Sequence, residues 1–383
     1  MKVPFNRPVL AGREYEYIGD AIARQHISGD GYYTKRCSEW LEKAIGVPKA
    51  LLTTSCTHAI EMAALLLDIA PGDEVIMPSF TFASTANAFV LRGARPVFVD
   101  IRPDTLNIDE NAIEATITPR TRAIIVVHYA GVGCEMDTIC EVARRRGIAV
   151  IEDNAHGLFA SYRGRQLGSL GVFATQSFHE TKNVICGEGG ALVINDASYV
   201  ERAEVVREKG TNRSRFLRGL VDKYSWVGPG SSYLPSDVLA AFLFAQFETS
   251  GAIQQRRGHI WNRYNEELAG WCVEHNVARP TVPAYCRQAF HLFYMLLRSV
   301  GERDALIAYL REREIGAVFH YVPLHGSEYG VQLGYRAGDF PVSESCSQRL
   351  IRLPMFNDMS DSEIDCVIDA VRLFDPVAQG VLA

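Results

Sequence analysis

Between residues 50 and 152 the chain repeats one pattern, a short apolar run followed by a helical stretch closed by glycine, proline or charged residues. The apolar runs fall at 50–53, 74–77, 96–100, 123–127 and 148–152, and the helical patterns between them at 57–69, 82–92, 109–117 and 136–146. Strands this apolar on both faces, alternating with helices, predict a mostly parallel, doubly wound α/β sheet covered on both sides. Ligands of such sheets bind beyond the carboxyl ends of the strands, so site residues are expected just after each apolar run.

Two amphipathic helices, 13–24 and 35–45, precede this region around a Gly29-Asp30-Gly31 turn. Two further strands are expected at 172–175 and 191–194, then a helix at 199–209. The next stretch, 210–233, is irregular and charged, and too long for an idle connector. Helical patterns continue to about residue 271, and Pro280 and Pro283 mark a linker. Strands at 290–297 and 317–321 and helices at 303–313 and 363–374 complete a compact α+β unit. At 383 residues the chain has room for two domains, divided here into a large one, 1–250, and a smaller one, 251–383.

Composition removes several functions. A net charge of -6 with no basic block gives no long-range attraction to nucleic acid or an anionic membrane. No window reaches the roughly 20 apolar residues of a membrane span, and the first residues lack the apolar run of a signal peptide. The nine cysteines form no CxxC pair, which fits reduced cytoplasmic thiols better than disulfides or a metal site.

The chemistry gathers at strand ends. Lys182 lies in Ser177-Phe178-His179-Glu180-Thr181-Lys182-Asn183, ahead of the glycine-rich Gly187-Glu188-Gly189-Gly190. A desolvated lysine amine is a nucleophile able to form a Schiff base, whereas an ordinary lysine in such a turn is a surface charge. Thr53-Thr54-Ser55-Cys56-Thr57-His58 joins the first strand to a helix, where amides and hydroxyls form an anion site or serve as a plain cap. Phe82 follows the next strand and is either a stacking face or core packing. Asp153, after the apolar run 148–151, needs a partner, because an isolated buried charge is costly. Together these supply what pyridoxal phosphate requires: a phosphate cradle including Ser177, a stacking ring, a carboxylate for the pyridinium nitrogen, and a lysine for the aldehyde.

The chain also resembles the sugar-nucleotide aminotransferases of the DegT/DnrJ/EryC1/StrS family, over nearly its whole length from Pro4-Phe5-Asn6-Arg7-Pro8 to Leu353-Pro354-Met355-Phe356. Specific stretches carry a closer match to its C4-transaminating branch: the lysine motif, Glu208-Lys209-Gly210-Thr211-Asn212-Arg213-Ser214, Asp222-Lys223-Tyr224, Gly230-Ser231-Ser232-Tyr233-Leu234 and Val318-Phe319-His320-Tyr321. The resemblance implies fold type I, a homodimer, and pyridoxal 5'-phosphate with pyridoxamine 5'-phosphate as its amino-carrying form. It implies transfer from glutamate to C4 of a dTDP-4-keto-6-deoxyhexose. Alternatives on the same scaffold are a C3-specific transaminase or a non-catalytic sensing protein. A sister dehydratase group resembles this chain with His in place of the lysine, and Lys182 argues against it.

By position the resemblance assigns Lys182 and Asp153 as catalytic. It places Cys56, Thr57 and Ser177 at the phosphate, Phe82 at the ring face, and His156 beside the phenolic oxygen. Ser232 stands where many members have an Asn that reaches the partner subunit's phosphate, and Asn154 replaces a usually small residue. Tyr321 and His325, in His320-Tyr321-Val322-Pro323-Leu324-His325, are expected near the substrate, with a structural strand edge as the alternative. Arg218, Lys223 and Tyr224 are expected to clamp the nucleotide diphosphate, because 210–233 concentrates cations and has Asp222 as its only acid.

Overall fold

The computed structural model describes residues 1–375. Its centre is a seven-stranded sheet built from β1 (Lys49–Thr53), β2 (Glu74–Pro78), β3 (Arg95–Val99), β4 (Thr121–Val127), β5 (Ala149–Asp153), β8 (Phe173–Ser177) and β9 (Gly190–Ile194). The spatial order is β1-β9-β8-β5-β4-β2-β3, and β9 alone runs antiparallel to its neighbours. The intervening β6 (Ser161–Tyr162) and β7 (Arg165–Gln166) pair with β10 (Cys286–Arg287) in a small antiparallel sheet absent from the sequence reading. β11 (Tyr294–Leu296) and β12 (Leu350–Arg352) form a two-stranded antiparallel sheet in the C-terminal part.

The central strands are buried on both faces because helices cover both. Residues such as Leu51, Met77 and Ile125 pack one way, and Ile76, Ile124 and Val126 the other. A separate C-terminal core joins Trp261, Tyr264, Phe293, Leu306 and Ile368, and takes Val3 from the other end of the chain. Packing therefore crosses the 250/251 division, and so does β10, which pairs Cys286 with Tyr162.

Two expected strands are corrected. Residues 317–321 form no strand; Val318 makes a single bridge to Arg352. The expected strand 290–297 shrinks to Tyr294–Leu296, and Phe290 itself takes a left-handed conformation (φ 50°) that no strand accommodates. The 210–233 stretch also holds a short helix, Arg213–Leu217, and a bridge between Thr211 and Trp226.

Two glycines set up the region around the cleft. A side chain on Gly190 would collide with the Ser55 carbonyl carbon (2.3 Å) and Cys56 N (2.4 Å), so β9 begins directly against the start of the helix Cys56–Leu66. The missing side chain of Gly157 makes room for Asn154, whose Oδ1 would lie 2.0 Å from a Cβ there. Asn154 Nδ2 in turn donates to the Leu167 carbonyl at 3.1 Å, which accounts for a larger residue after Asp153.

Candidate active site

The carboxyl ends of β1, β2, β4, β5 and β8 open on one cleft of about 940 Å³, closed on its far side by residues 318–324 and 352–355 of the C-terminal part. The structure brings Cys56, Thr57, Phe82, Asp153, His156, Ser177, Lys182 and Tyr321 to its walls. Asp153 and Ser177 end sheet strands, and Cys56, Thr57, Phe82, His156 and Lys182 follow the end of one within a few residues.

At the β1 end, Ser55 caps the helix Cys56–Leu66 by accepting from His58 N at 3.1 Å, and the first turn faces the cleft. Thr57 Oγ1 donates to Ser84 Oγ at 2.8 Å, and Ser177 lies at the end of β8. Hydroxyls around a helix start of this length suit a phosphate. Phe82 is 61% exposed at the foot of the helix Ala83–Val90, so its ring is open to a ligand and not spent on the core.

Asp153 is buried at the end of β5. Thr85 Oγ1 donates to its Oδ2 at 2.8 Å and Ala155 N to its Oδ1 at 3.2 Å. Burial pushes its pKa up, while these bonds and the Lys182 charge pull the other way. A cationic ring nitrogen is the partner such a carboxylate lacks. Burial also pushes the Lys182 amine down to about 8, partly offset by Cys56 and Asp153. This places free amine near neutral pH.

His156 is buried, and burial followed by the charges of Lys182 and Arg352 holds it neutral. Its Nε2 meets the Tyr321 hydroxyl at 3.3 Å, while Nδ1 is buried without a partner among the described residues. An orphaned ring nitrogen beside a lysine and a carboxylate fits a ligand carrying a phenolic oxygen. The residues present therefore fit pyridoxal phosphate at each of its polar corners.

The sequence reading missed several neighbours. His291 stacks on His156 with centroids 4.2 Å apart, and His320 stacks on Tyr321 at 3.7 Å while its Nδ1 bonds the Tyr129 hydroxyl at 2.7 Å. Thr85 sits three residues beyond Phe82 in the same helix start, a spacing that could have pointed to it. Arg352 reaches the cleft from β12, and no local signal marks it.

Other expected site residues lie elsewhere. His325 is fully buried, its Nδ1 on Ser79 Oγ (2.6 Å) and its Nε2 on Glu344 Oε1 (2.8 Å). With both nitrogens engaged it fastens the C-terminal part to the end of β2 and does not touch the cleft. Ser232, Arg218, Lys223 and Tyr224 do not line this chain's cleft either. The cation cluster is also less positive than its own segment implies. Arg218 pairs with Glu204, Arg215 with Glu201, and Lys209 and Arg213 with Glu208, acids of the preceding helix and its end. Lys223 has no ion pair among the described residues.

A lysine, a buried carboxylate and a phosphate cradle at the strand ends of this mixed, mostly parallel sheet define a fold type I pyridoxal-phosphate-dependent aminotransferase. The chain belongs to the DegT/DnrJ/EryC1/StrS aminotransferase family, whose sequence profile matches residues 9–372. It is 33% identical over 382 residues to the spore coat polysaccharide biosynthesis protein SpsC of Bacillus subtilis (strain 168), covering 97% of this chain and 96% of the relative. Among solved structures it is similar to the putative sugar aminotransferase Spr1654 from Streptococcus pneumoniae in its PLP form (TM-score 0.90, 26% identity, 100% of both chains). It is also similar to S. venezuelae DesV in complex with a ketimine intermediate (TM-score 0.88, 30% identity, 97% of this chain and 98% of the other).

Proposed function

We propose that this aminotransferase moves the amino group of glutamate to C4 of dTDP-4-keto-6-deoxy-D-glucose, giving dTDP-4-amino-4,6-dideoxygalactose, and is thus a TDP-4-oxo-6-deoxy-D-glucose transaminase. One observation carries the sugar reading: the aromatic-walled space of the cleft that holds Lys182, with Phe319 and Tyr321 at its walls. Such walls suit the apolar face of a deoxyhexose. The names of the two sugar-linked relatives, a polysaccharide biosynthesis protein and a putative sugar aminotransferase, point the same way.

When bound, pyridoxal phosphate supplies the electron sink on which an amino group is carried between substrates. The chain's residues hold and orient it. The amides and hydroxyls at Cys56, Thr57 and Ser177 take the phosphate, Phe82 offers a ring face, and Asp153 keeps the ring nitrogen protonated. His156 Nδ1 is free for the phenolic oxygen. Lys182 Nζ, displaced from the cofactor when the donor binds, would be the base that takes the proton from the donor's amine-bearing carbon, and in the separate second half-reaction the acid that delivers a proton to the acceptor carbon.

In the same reading the protein is a homodimer. The 210–233 stretch exposes Leu217, Leu220 and Trp226, the last 80% exposed, an apolar surface suited to a second copy. Across that contact Ser232, Lys223 and Tyr224 would meet the second copy's cleft. Arg218, already paired with Glu204, has less to offer. The decisive experiment incubates the purified protein with glutamate and dTDP-4-keto-6-deoxy-D-glucose and determines the product by NMR. An amine at C4 with galacto configuration is expected, and an amine at C3, or no amine, overturns the assignment.

A further inference from the structure

His156, His291 and His320 all line the cleft, and burial is the first cause holding each of them neutral. A neutral imidazole carries one ring proton, so it donates at one nitrogen and accepts at the other. The neighbours of each ring decide which nitrogen holds that proton, and with it what the ring can offer a ligand.

At His291 the neighbour is an amide. Asn183 Nδ2 donates to the Ala289 carbonyl at 2.7 Å, which leaves Asn183 Oδ1 to accept from His291 Nδ1, 2.9 Å away. The proton of His291 is therefore on Nδ1. At His320 the neighbour is a hydroxyl and the assignment reverses. The Tyr129 hydroxyl has no other acceptor among the described residues, so it donates to His320 Nδ1 at 2.7 Å and the proton sits on Nε2.

His156 has a hydroxyl at one nitrogen and an open place at the other. The Tyr321 hydroxyl lies 3.3 Å from Nε2, its one partner among the described residues, and Nδ1 is buried with none. If Nε2 held the proton, the Tyr321 O–H and the bare Nδ1 would both be unpaired. If Tyr321 donates, Nδ1–H alone is unpaired, and a ligand acceptor in the cleft can take it. Each unmade buried hydrogen bond costs about 1–3 kcal/mol, so the second arrangement is the stable one. Both rings are also held still. Tyr321 stacks on His320 with centroids 3.7 Å apart, and its carbonyl accepts from Ser347 Oγ at 2.7 Å. His156 lies against His291, 4.2 Å between centroids.

We propose that Tyr321 is a positioning residue for the cofactor's phenolic oxygen: its hydroxyl donates to His156 Nε2, fixes the proton of that ring on Nδ1, and so makes His156 a hydrogen-bond donor toward the oxygen. A donor there favours the ionised oxygen, the form in which a lysine-linked cofactor absorbs in the visible. An acceptor there would favour the protonated oxygen, which absorbs in the near ultraviolet. The ring of Tyr321 remains a wall of the substrate space, and its hydroxyl acts through His156. The inference rests on His156 facing the phenolic oxygen and not on which ketose accepts the amine.

The test uses the holoenzyme with no substrate present. NMR of isotope-labelled histidine rings reads the tautomer of His156, whose signal is identified by its loss in His156→Asn. The proton is expected on Nδ1 in wild type. Tyr321→Phe keeps the ring and removes the hydroxyl, and the ratio of visible to near-ultraviolet absorbance should fall by about 3- to 10-fold, the worth of one hydrogen bond. The asparagine of His156→Asn supplies an amide near the place of Nδ1 but has no atom where Nε2 stood. Adding Tyr321→Phe to His156→Asn should therefore leave the ratio unchanged, whereas a hydroxyl that merely supported the fold would act alike in both backgrounds. An Nε2 proton in wild type overturns the proposal. So does an unchanged ratio in Tyr321→Phe, or an equal fall in both backgrounds. If Tyr321→Phe does not fold, the wild-type tautomer decides. A holoenzyme with the Nδ1 proton that aminates no nucleotide-ketosugar refutes the sugar reading and leaves this proposal standing.

Discussion

Thr85 Oγ1 donates to Asp153 Oδ2 at 2.8 Å, so the helix that begins beside Phe82 also holds the carboxylate at the end of β5. One helix start thus places the exposed ring and orients the acid. Replacing Asp153 with Asn keeps the shape and removes the charge. Asp153→Asn should fold normally and lose amino transfer by orders of magnitude, since preorganised charge of this kind is worth about 3–4 kcal/mol. Thr85→Val should cost less, about 1.5–3 kcal/mol for one hydrogen bond to a charged group. Steady-state rates with matched circular dichroism spectra measure both, and near-normal turnover of Asp153→Asn would show that another residue holds the ring nitrogen.

Lys182 should hold the cofactor covalently. Borohydride should bleach the visible absorbance and leave the cofactor attached to the peptide containing Lys182, as read by mass spectrometry. Lys182→Ala should lose turnover and the attachment together. Undiminished transamination by that variant would remove the assignment.

The same lysine makes a pH prediction for protein stripped of cofactor. Its pKa falls from 10.5 unfolded to about 8 folded, so between those values the unfolded chain binds more protons. Stability contributed by this site therefore rises with pH across that window, and the full penalty of the buried cation is present below pH 8. Lys182→Met should be the more stable protein at pH 7, by up to about 3 kcal/mol. The gap should shrink as pH climbs toward 10.5. Urea unfolding at several pH values measures it, and a pH-independent gap would mean that the amine is not desolvated.

His325 links Ser79 to Glu344 inside the protein. His325→Ala leaves both partners short of a bond and should cost about 1–3 kcal/mol of stability. KM for the nucleotide-sugar should be unchanged in the fraction that folds. A variant of full stability with a raised sugar KM would return His325 to the substrate.

The exposed apolar side chains of 210–233 predict assembly. Sedimentation should give a dimer at assay concentration, and Trp226→Arg with Leu220→Arg should shift it toward monomer with loss of activity. An active wild-type monomer would show that this surface has another use.

The sequence by itself determined the sheet and the residues at its edge. Strand and helix periodicities are local, and a residue directly after a strand of a parallel sheet is carried to the ligand edge by that strand. Cys56, Thr57, Asp153, Ser177 and Lys182 are of this kind, and the structure gathers them in one cleft. Tertiary structure decided what depends on contacts between distant residues. Arg352 enters the cleft from a two-stranded sheet 170 residues beyond Lys182, and His291 slides under His156 from another part of the chain. Residues 317–321 have a strand's composition but only one bridging partner, so they stay irregular and bring Tyr321 to the cleft. The charge of 210–233 could not be read from that stretch alone, because Glu201, Glu204 and Glu208 neutralise much of it from the preceding helix and its end. His325, equally polar on paper, was claimed by Ser79 and Glu344 before any substrate could reach it. A side chain's residue type sets which bonds it can make, and only the packed fold decides which partner is within reach.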